Sequence, residues 1–231
     1  MLQKDSRLVD NQTTYEICIE NHTALAQALA HPKVSRIELC DNLALGGTTV
    51  SFGVAQYASD SALQANKPIH AMIRPHGGTF CYNDTDLAIM LEDIALLKKL
   101  DGIKGFVVGA LTKENHIDIA TMQLLINAIK PKATTFHMAF DLVPTAMQQQ
   151  SIDLLQDLGV AYLLTHGSPA NNPIEENLEH LRALAEYAQG KITLIVGKGV
   201  TYQNIHQLEP QLYGVQWHGT KIVHLPANHP C

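Results

Sequence analysis

The strongest constraint on this chain is a rhythm. Short β-rich runs alternate with longer helical patterns at intervals of roughly 25 to 30 residues, the spacing of repeated strand–helix units on a parallel sheet. The runs are YEICIE (15–20), RIELC (36–40), IHAMIR (69–74), GFVVGAL (105–111), TTFHMAF (134–140), AYLLTH (161–166), ITLIVG (192–197) and GVQWHG (214–219). That is one run for each strand of an α/β (β/α)8 TIM-type barrel. An open doubly wound sheet is the rival, because strand count does not prove closure. No composition shift and no early Gly-rich dinucleotide turn favours it. The domain reading is an N-terminal extension over 1–14 and one barrel over 15–231. The closing stretch KIVHLPANHPC holds prolines and little periodicity, so the final helix is expected to be incomplete or irregular.

Between the strands, DTDLAIMLEDIALLKKL (84–100) is the clearest helix, with Leu87, Met90, Leu91, Ile94, Leu97 and Lys98 on one stripe. Asn172-Pro173 with Glu175 reads as the N-cap and first turn of a helix over 173–188. Gly102, Gly159 and Gly190 fall just past helical stretches, where a left-handed residue is wanted. The balance of 16 Lys+Arg against 22 Asp+Glu gives a net charge of −6, without a basic cluster, which argues against nucleic acid as a partner. No apolar run approaches the roughly 18 residues of a spanning helix, and the opening lacks the order of a signal peptide. A cytoplasmic protein without a membrane partner is expected. Its four cysteines, Cys18, Cys40, Cys81 and Cys231, are then expected to be reduced.

Strand parity turns the fold into a site. Successive residues face opposite sides, so Ile17 and Ile19 part from Glu16, Cys18 and Glu20, and Ile37 and Leu39 part from Arg36, Glu38 and Cys40. Likewise Met72 and Arg74 oppose Ile73, Thr135 and His137 oppose Phe136, and Gln216 and His218 oppose Val215 and Trp217. With the aliphatics against the helices, the acids, thiols and imidazoles converge on an axis normally packed with apolar side chains. Buried charges of this kind are paired, metal-bound or neutralised. One reading is a site at the C-terminal mouth, built from Glu20, Glu38, Cys40, Arg74, His137 and His218, with Asp41 and Asp141 on adjoining loops. The other is an internal hydrogen-bonded network. Both place Arg74 against a carboxylate.

The motifs EICIEN (16–21), RIELCDNLALGGTT (36–49), MIRPHGG (72–78), TTFHMAFD (134–141) and GKGV (197–200), in this order, resemble the CutC copper homeostasis family from about Tyr15 to His218. The resemblance implies a TIM-type barrel, a cytoplasmic homo-oligomer expected as a dimer, and a role in copper homeostasis. The chain departs from the family's pattern at His76 and Met138, where Arg is common, at THGS (165–168) in place of Ser-Gly-Gly, at Lys198, and at Gln216 in place of Glu. The mouth keeps its core charges and loses some cations.

Three chemistries follow. Cu(I) is one, because thiolates suit a soft cation and Cys18 and Cys40 fall inward on strands about 4.8 Å apart; the resemblance also associates copper with cysteines at these positions. Both thiols could equally be small buried hydrophobes. An enzyme acting on a small anionic metabolite is the second. His137 would be its acid or base, Glu38 the partner or second base and Arg74 an anion clamp, with His218, Asp141 and Glu20 completing the set. Gly197 and Gly199 would cradle an anion, with Thr201 opening a helix behind them, and Gly77-Gly78 would shape the rim beside Arg74. A partner-binding scaffold is the third. The loop DNLALGGTT (41–49) is expected at the mouth, turned by Asp41 and Asn42 and opened to close backbone approach by Gly46-Gly47. His22, His31, His70, His116, His180 and His206 are expected in solvent, and His224, His229 and Cys231 could take a metal only adventitiously.

Overall fold

A computed structural model describes residues 13–226. Eight parallel strands close into a barrel in sequence order, β8 pairing back to β1. The order is β1 (Tyr15–Glu20), α1 (Leu25–Ala30), β2 (Val34–Cys40), α2 (Phe52–Ala65), β3 (Ile69–Met72), α3 (Asp84–Leu97), β4 (Ile103–Val108) and α4 (Ile119–Ile129). It continues with β5 (Ala133–Phe136), α5 (Gln148–Leu158), β6 (Tyr162–Thr165), α6 (Leu178–Ala188), β7 (Thr193–Val196), α7 (Ile205–Leu208) and β8 (Gln216–Gly219). Closure excludes the open sheet. No helix follows β8 among the described residues, as the aperiodic tail implies; His229 and Cys231 lie outside them. No helix among the described residues is long and apolar enough to cross a membrane.

The aliphatic half of each strand meets the helices. Ile17, Ile37, Leu39, Ile69, Ile73, Phe106 and Phe136 are fully buried in one core that also takes Met90, Ile94 and Leu97 from α3. Each such side chain contributes roughly 1.5 to 3 kcal/mol when removed from water. Helix α3 starts on Asn83, whose side chain accepts from the Thr85 and Asp86 amides while Asp86 accepts from the Asn83 amide, a reciprocal capping box.

Local punctuation is partly different from what the sequence suggests. Residues 174–177 form a 3-10 turn before α6, and Asn172 bonds the Asn177 side chain instead of capping a helix. Gly159 and Gly190 are left-handed (φ 92° and 76°). Gly102 is not among the left-handed residues; it is small because a β-carbon there would lie 2.3 Å from the Ser59 carbonyl oxygen. No helix opens at Thr201: α7 begins at Ile205 and runs for four residues, while Thr201 bridges to Lys221.

Candidate functional site

Strand parity turns the polar side chains into the barrel. Glu16, Cys18, Arg36, Glu38, Arg74, His137 and His218 are all buried, between 0% and 6% exposed. Register explains their meeting: Glu16 stands opposite Arg36 on one side and His218 on the other, and Cys18 stands opposite Glu38. Two different assemblies result.

The deeper one is a closed network. Glu16 accepts from Arg36 Nε and makes a 2.8 Å bond to His218 Nδ1, and Arg36 Nη2 donates to Gln216 Oε1 at 2.9 Å. The Arg36 guanidinium also covers the Tyr162 ring at 4.4 Å. Burial opposes the Glu16 carboxylate, yet Arg36 and His218 outweigh it and hold its pKa well below the usual range. Burial likewise works against the His218 imidazolium, but Glu38 and Glu16 together leave its pKa above the ordinary value. His70 belongs to this interior and not to solvent. It is 3% exposed, pairs with the Thr135 hydroxyl at 3.1 Å, and burial next to Arg36 lowers its pKa to about 4.

The second assembly is the mouth, a cavity of about 810 Å³ at the C-terminal end of the strands. Cys18, Glu38, Met72, Arg74, Gly78, His137, Lys198, Gly199, His218 and Lys221 are among its walls. The Cys18 and Cys40 sulfurs lie 3.5 Å apart, and Cys18 donates to Glu38 Oε1 at 3.5 Å. Met72 and Val107 pack around the two thiols. The hydrogen bond to Cys40, burial and Glu38 all push the Cys18 thiol up. Burial lifts the Glu38 carboxyl against the pull of His218, and its Oε2 has no hydrogen-bond partner. Donor atoms of Cys18, Glu38 and His218 lie within 4.8 Å of one another, a set able to surround a cation.

Arg74 corrects the sequence expectation. It is 3% exposed and faces no carboxylate at ion-pair distance among the described residues. Its guanidinium donates to three carbonyls instead: Leu45 at 2.8 Å, Gly47 at 3.0 Å and Gly78 at 3.1 Å. Close approach requires this loop to be glycine-rich. A β-carbon on Gly46 would sit 3.3 Å from Arg74 Nη1, and Gly46 and Gly47 both have positive φ. Across the rim, His137 caps the 3-10 segment Met138–Leu142 by accepting the Ala139 amide at Nδ1. That places the proton of the neutral ring on Nε2, which has no partner. Burial and the Arg74 charge drop the His137 pKa to about 3. The Phe80 ring contacts both, with the Arg74 guanidinium 4.6 Å and the His137 ring 4.8 Å from its centre.

Other residues expected at the mouth serve the loops around it. Asp141 accepts from the Thr165 hydroxyl at 2.5 Å and from the amides of His166 and Gly167, so it ties the β5 end to the turn after β6. Glu20 accepts the Leu43 amide at 2.9 Å and holds the loop after β2. Asp41 pairs with Thr48 across that loop. Neither Asp141 nor Glu20 lines the cavity. Gly78 and Gly199 do, while Gly77 is pressed against Leu45 and Gly197 against His218, where β-carbons would lie 2.8 Å and 2.9 Å away. Sequence reasoning passed over Phe80 and Lys221, which lie in loops without periodicity, and over Arg36 as the partner of Glu16, though its parity was visible.

Comparison with known proteins agrees with this architecture. The CutC family model matches residues 13–227. The family protein CutC of Enterococcus faecalis is 43% identical over 208 residues, covering 90% of this chain and 99% of that protein. The copper homeostasis protein cutC homolog of Homo sapiens is 37% identical over 193 residues, covering 84% and 67%. The crystal structure of a CutC from Streptococcus agalactiae superposes with a TM-score of 0.88 at 43% identity, covering 91% of this chain and all of that one.

Proposed function

The chain belongs to the CutC family, and from that premise we propose that it takes part in copper homeostasis in the cytoplasm by taking up one Cu(I) ion between Cys18 and Cys40. The observation that carries the reading is the pair of buried sulfurs 3.5 Å apart on neighbouring strands, with Cys18 at the wall of the mouth cavity and Cys40 behind it. Thiolates prefer soft Cu(I) over hard cations, and the Met72 thioether packed against the pair extends the soft surface. A reducing compartment keeps both thiols available.

Uptake releases a proton from each thiol that ligates, because only thiolates bind metal well, and it is the Cys18 proton that the surroundings hold in place. Glu38 Oε1, already accepting from Cys18, is the group placed to receive it. His218, with a ring nitrogen within 4.8 Å of the Cys18 and Glu38 donor atoms, offers an imidazole that can complete the surroundings of the ion. Copper here is cargo, held and released, and its exchange would run through the mouth.

Titration of reduced protein with Cu(I) against a competing chelator tests the reading. Cys18→Ser and Cys40→Ser should each weaken binding at least about tenfold, a difference of roughly 1.4 kcal/mol. Affinity equal to the parent in both variants overturns it.

A further inference from the structure

Apart from its thiols, the mouth contains three buried groups whose demands no protein atom meets. Arg74 is a cation without a counter-charge: Nη1 and Nη2 donate to neutral carbonyls, and Nε has no partner. His137 Nε2 is a donor without an acceptor, and Glu38 Oε2 is an acceptor without a donor. All three residues are 3% or 4% exposed, and all three line the same cavity. An unmatched buried polar atom costs about 1 to 3 kcal/mol and an unpaired buried charge more, so such groups in a folded protein call for something that completes them.

We propose that the mouth cavity is a binding site for a small 2-hydroxycarboxylate, with the carboxylate on the Arg74–His137 side and the hydroxyl on Glu38. The carboxylate supplies the missing negative charge for Arg74 and an acceptor for the Nε2 proton of His137. The neighbouring hydroxyl supplies the one donor that Glu38 lacks. An inorganic anion answers the first two needs without a carbon-borne hydroxyl, and a neutral polyol answers only the third.

Two further observations point the same way. Lys198 and Lys221 stand at the opposite rim, so the cavity draws anions from several sides. Lys198 also holds a left-handed backbone (φ 59°) between Gly197 and Gly199, a conformation that costs a non-glycine residue energy and that gathers at functional sites. The ring of His137 is fixed from below by Gly109, where a β-carbon would come within 2.4 Å of it, and from the side by Phe80. The donor is therefore aimed before any ligand arrives.

The test uses glycolate, glycerate and gluconate as probes, with acetate, glycerol and inorganic phosphate as comparators, measured by calorimetry and thermal shift on the reduced full chain. At least one hydroxy acid should bind the parent protein, more tightly than any comparator. His137→Asn keeps an acceptor for the Ala139 amide and removes the Nε2 donor; it should bind about tenfold more weakly with melting temperature little changed. Cys40→Ser, at the thiol of the copper pair outside the cavity lining, should bind the hydroxy acid like the parent, which separates this site from the copper reading. No binding of any hydroxy acid up to about 10 mM, affinity matched by acetate, glycerol or phosphate, or parent-like affinity in His137→Asn would each overturn the proposal.

Discussion

The Glu16–Arg36–His218 network and the cavity above it share strands, burial and residue types, yet they differ in one respect. In the network every charged group has a partner: Arg36 and His218 both on Glu16, and the neutral Gln216 amide oxygen on Arg36. At the mouth the sums do not close, and Glu38 Oε2 and His137 Nε2 stay unmatched beside a cation with no acid partner. The internal network that strand parity raised is therefore present, and the groups that lack partners lie one residue pair further along the barrel axis. Buried polarity alone does not mark a site; incomplete pairing does.

The closed network depends most heavily on Arg36. Arg36→Met strands the Glu16 carboxylate and should cost about 3 to 5 kcal/mol in urea unfolding; a loss under about 1 kcal/mol would mean the network is not a structural unit. Next, Gly109→Ala drives a methyl into the His137 ring and should cost about 1 to 3 kcal/mol, with loss of hydroxy-acid binding in the same protein.

Acid titration sharpens the contrast further. His137 and His70 have folded-state pKa values of about 3 and about 4, both below the ordinary 6.5. The unfolded chain thus takes up protons first. Their contribution is complete above pH 6.5 and is lost as pH falls towards those values, at up to about 1.4 kcal/mol per pH unit for each ring. Unfolding measured from pH 7 to pH 4.5 should show this limb, and His137→Asn should flatten it. The smallest effect belongs to Glu38→Gln, a near-isosteric change at an unmatched oxygen, which should alter stability by less than about 1 kcal/mol. A loss like that of Arg36→Met would place Glu38 inside the closed network.

What sequence made legible was what repeats. The two-residue period along β1, β2 and β8 marked Glu16, Cys18, Arg36, Glu38 and His218 as inward, because a register error would turn the whole strand inside out. The eightfold rhythm gave the barrel for the same reason. Loops obey no period, so the partners of Arg74, Asp141 and Glu20 were out of reach: each answers backbone groups of chain segments that only folding brings near. His70 shows the opposite lapse. It sits two residues before Met72 on an inward-facing parity, and treating it as an isolated histidine placed it in solvent when the strand pattern already buried it.

One guanidinium fastens the carbonyls of Leu45, Gly47 and Gly78, and so joins the loop after β2 to the loop after β3. The rim is rigid before any guest comes. A molecule entering the barrel then surrenders its own freedom and little of the host's, so association should run near the diffusive rate and show little loop ordering. On the hydroxy-acid reading, residence should then be set by how well the visitor fits this doorway.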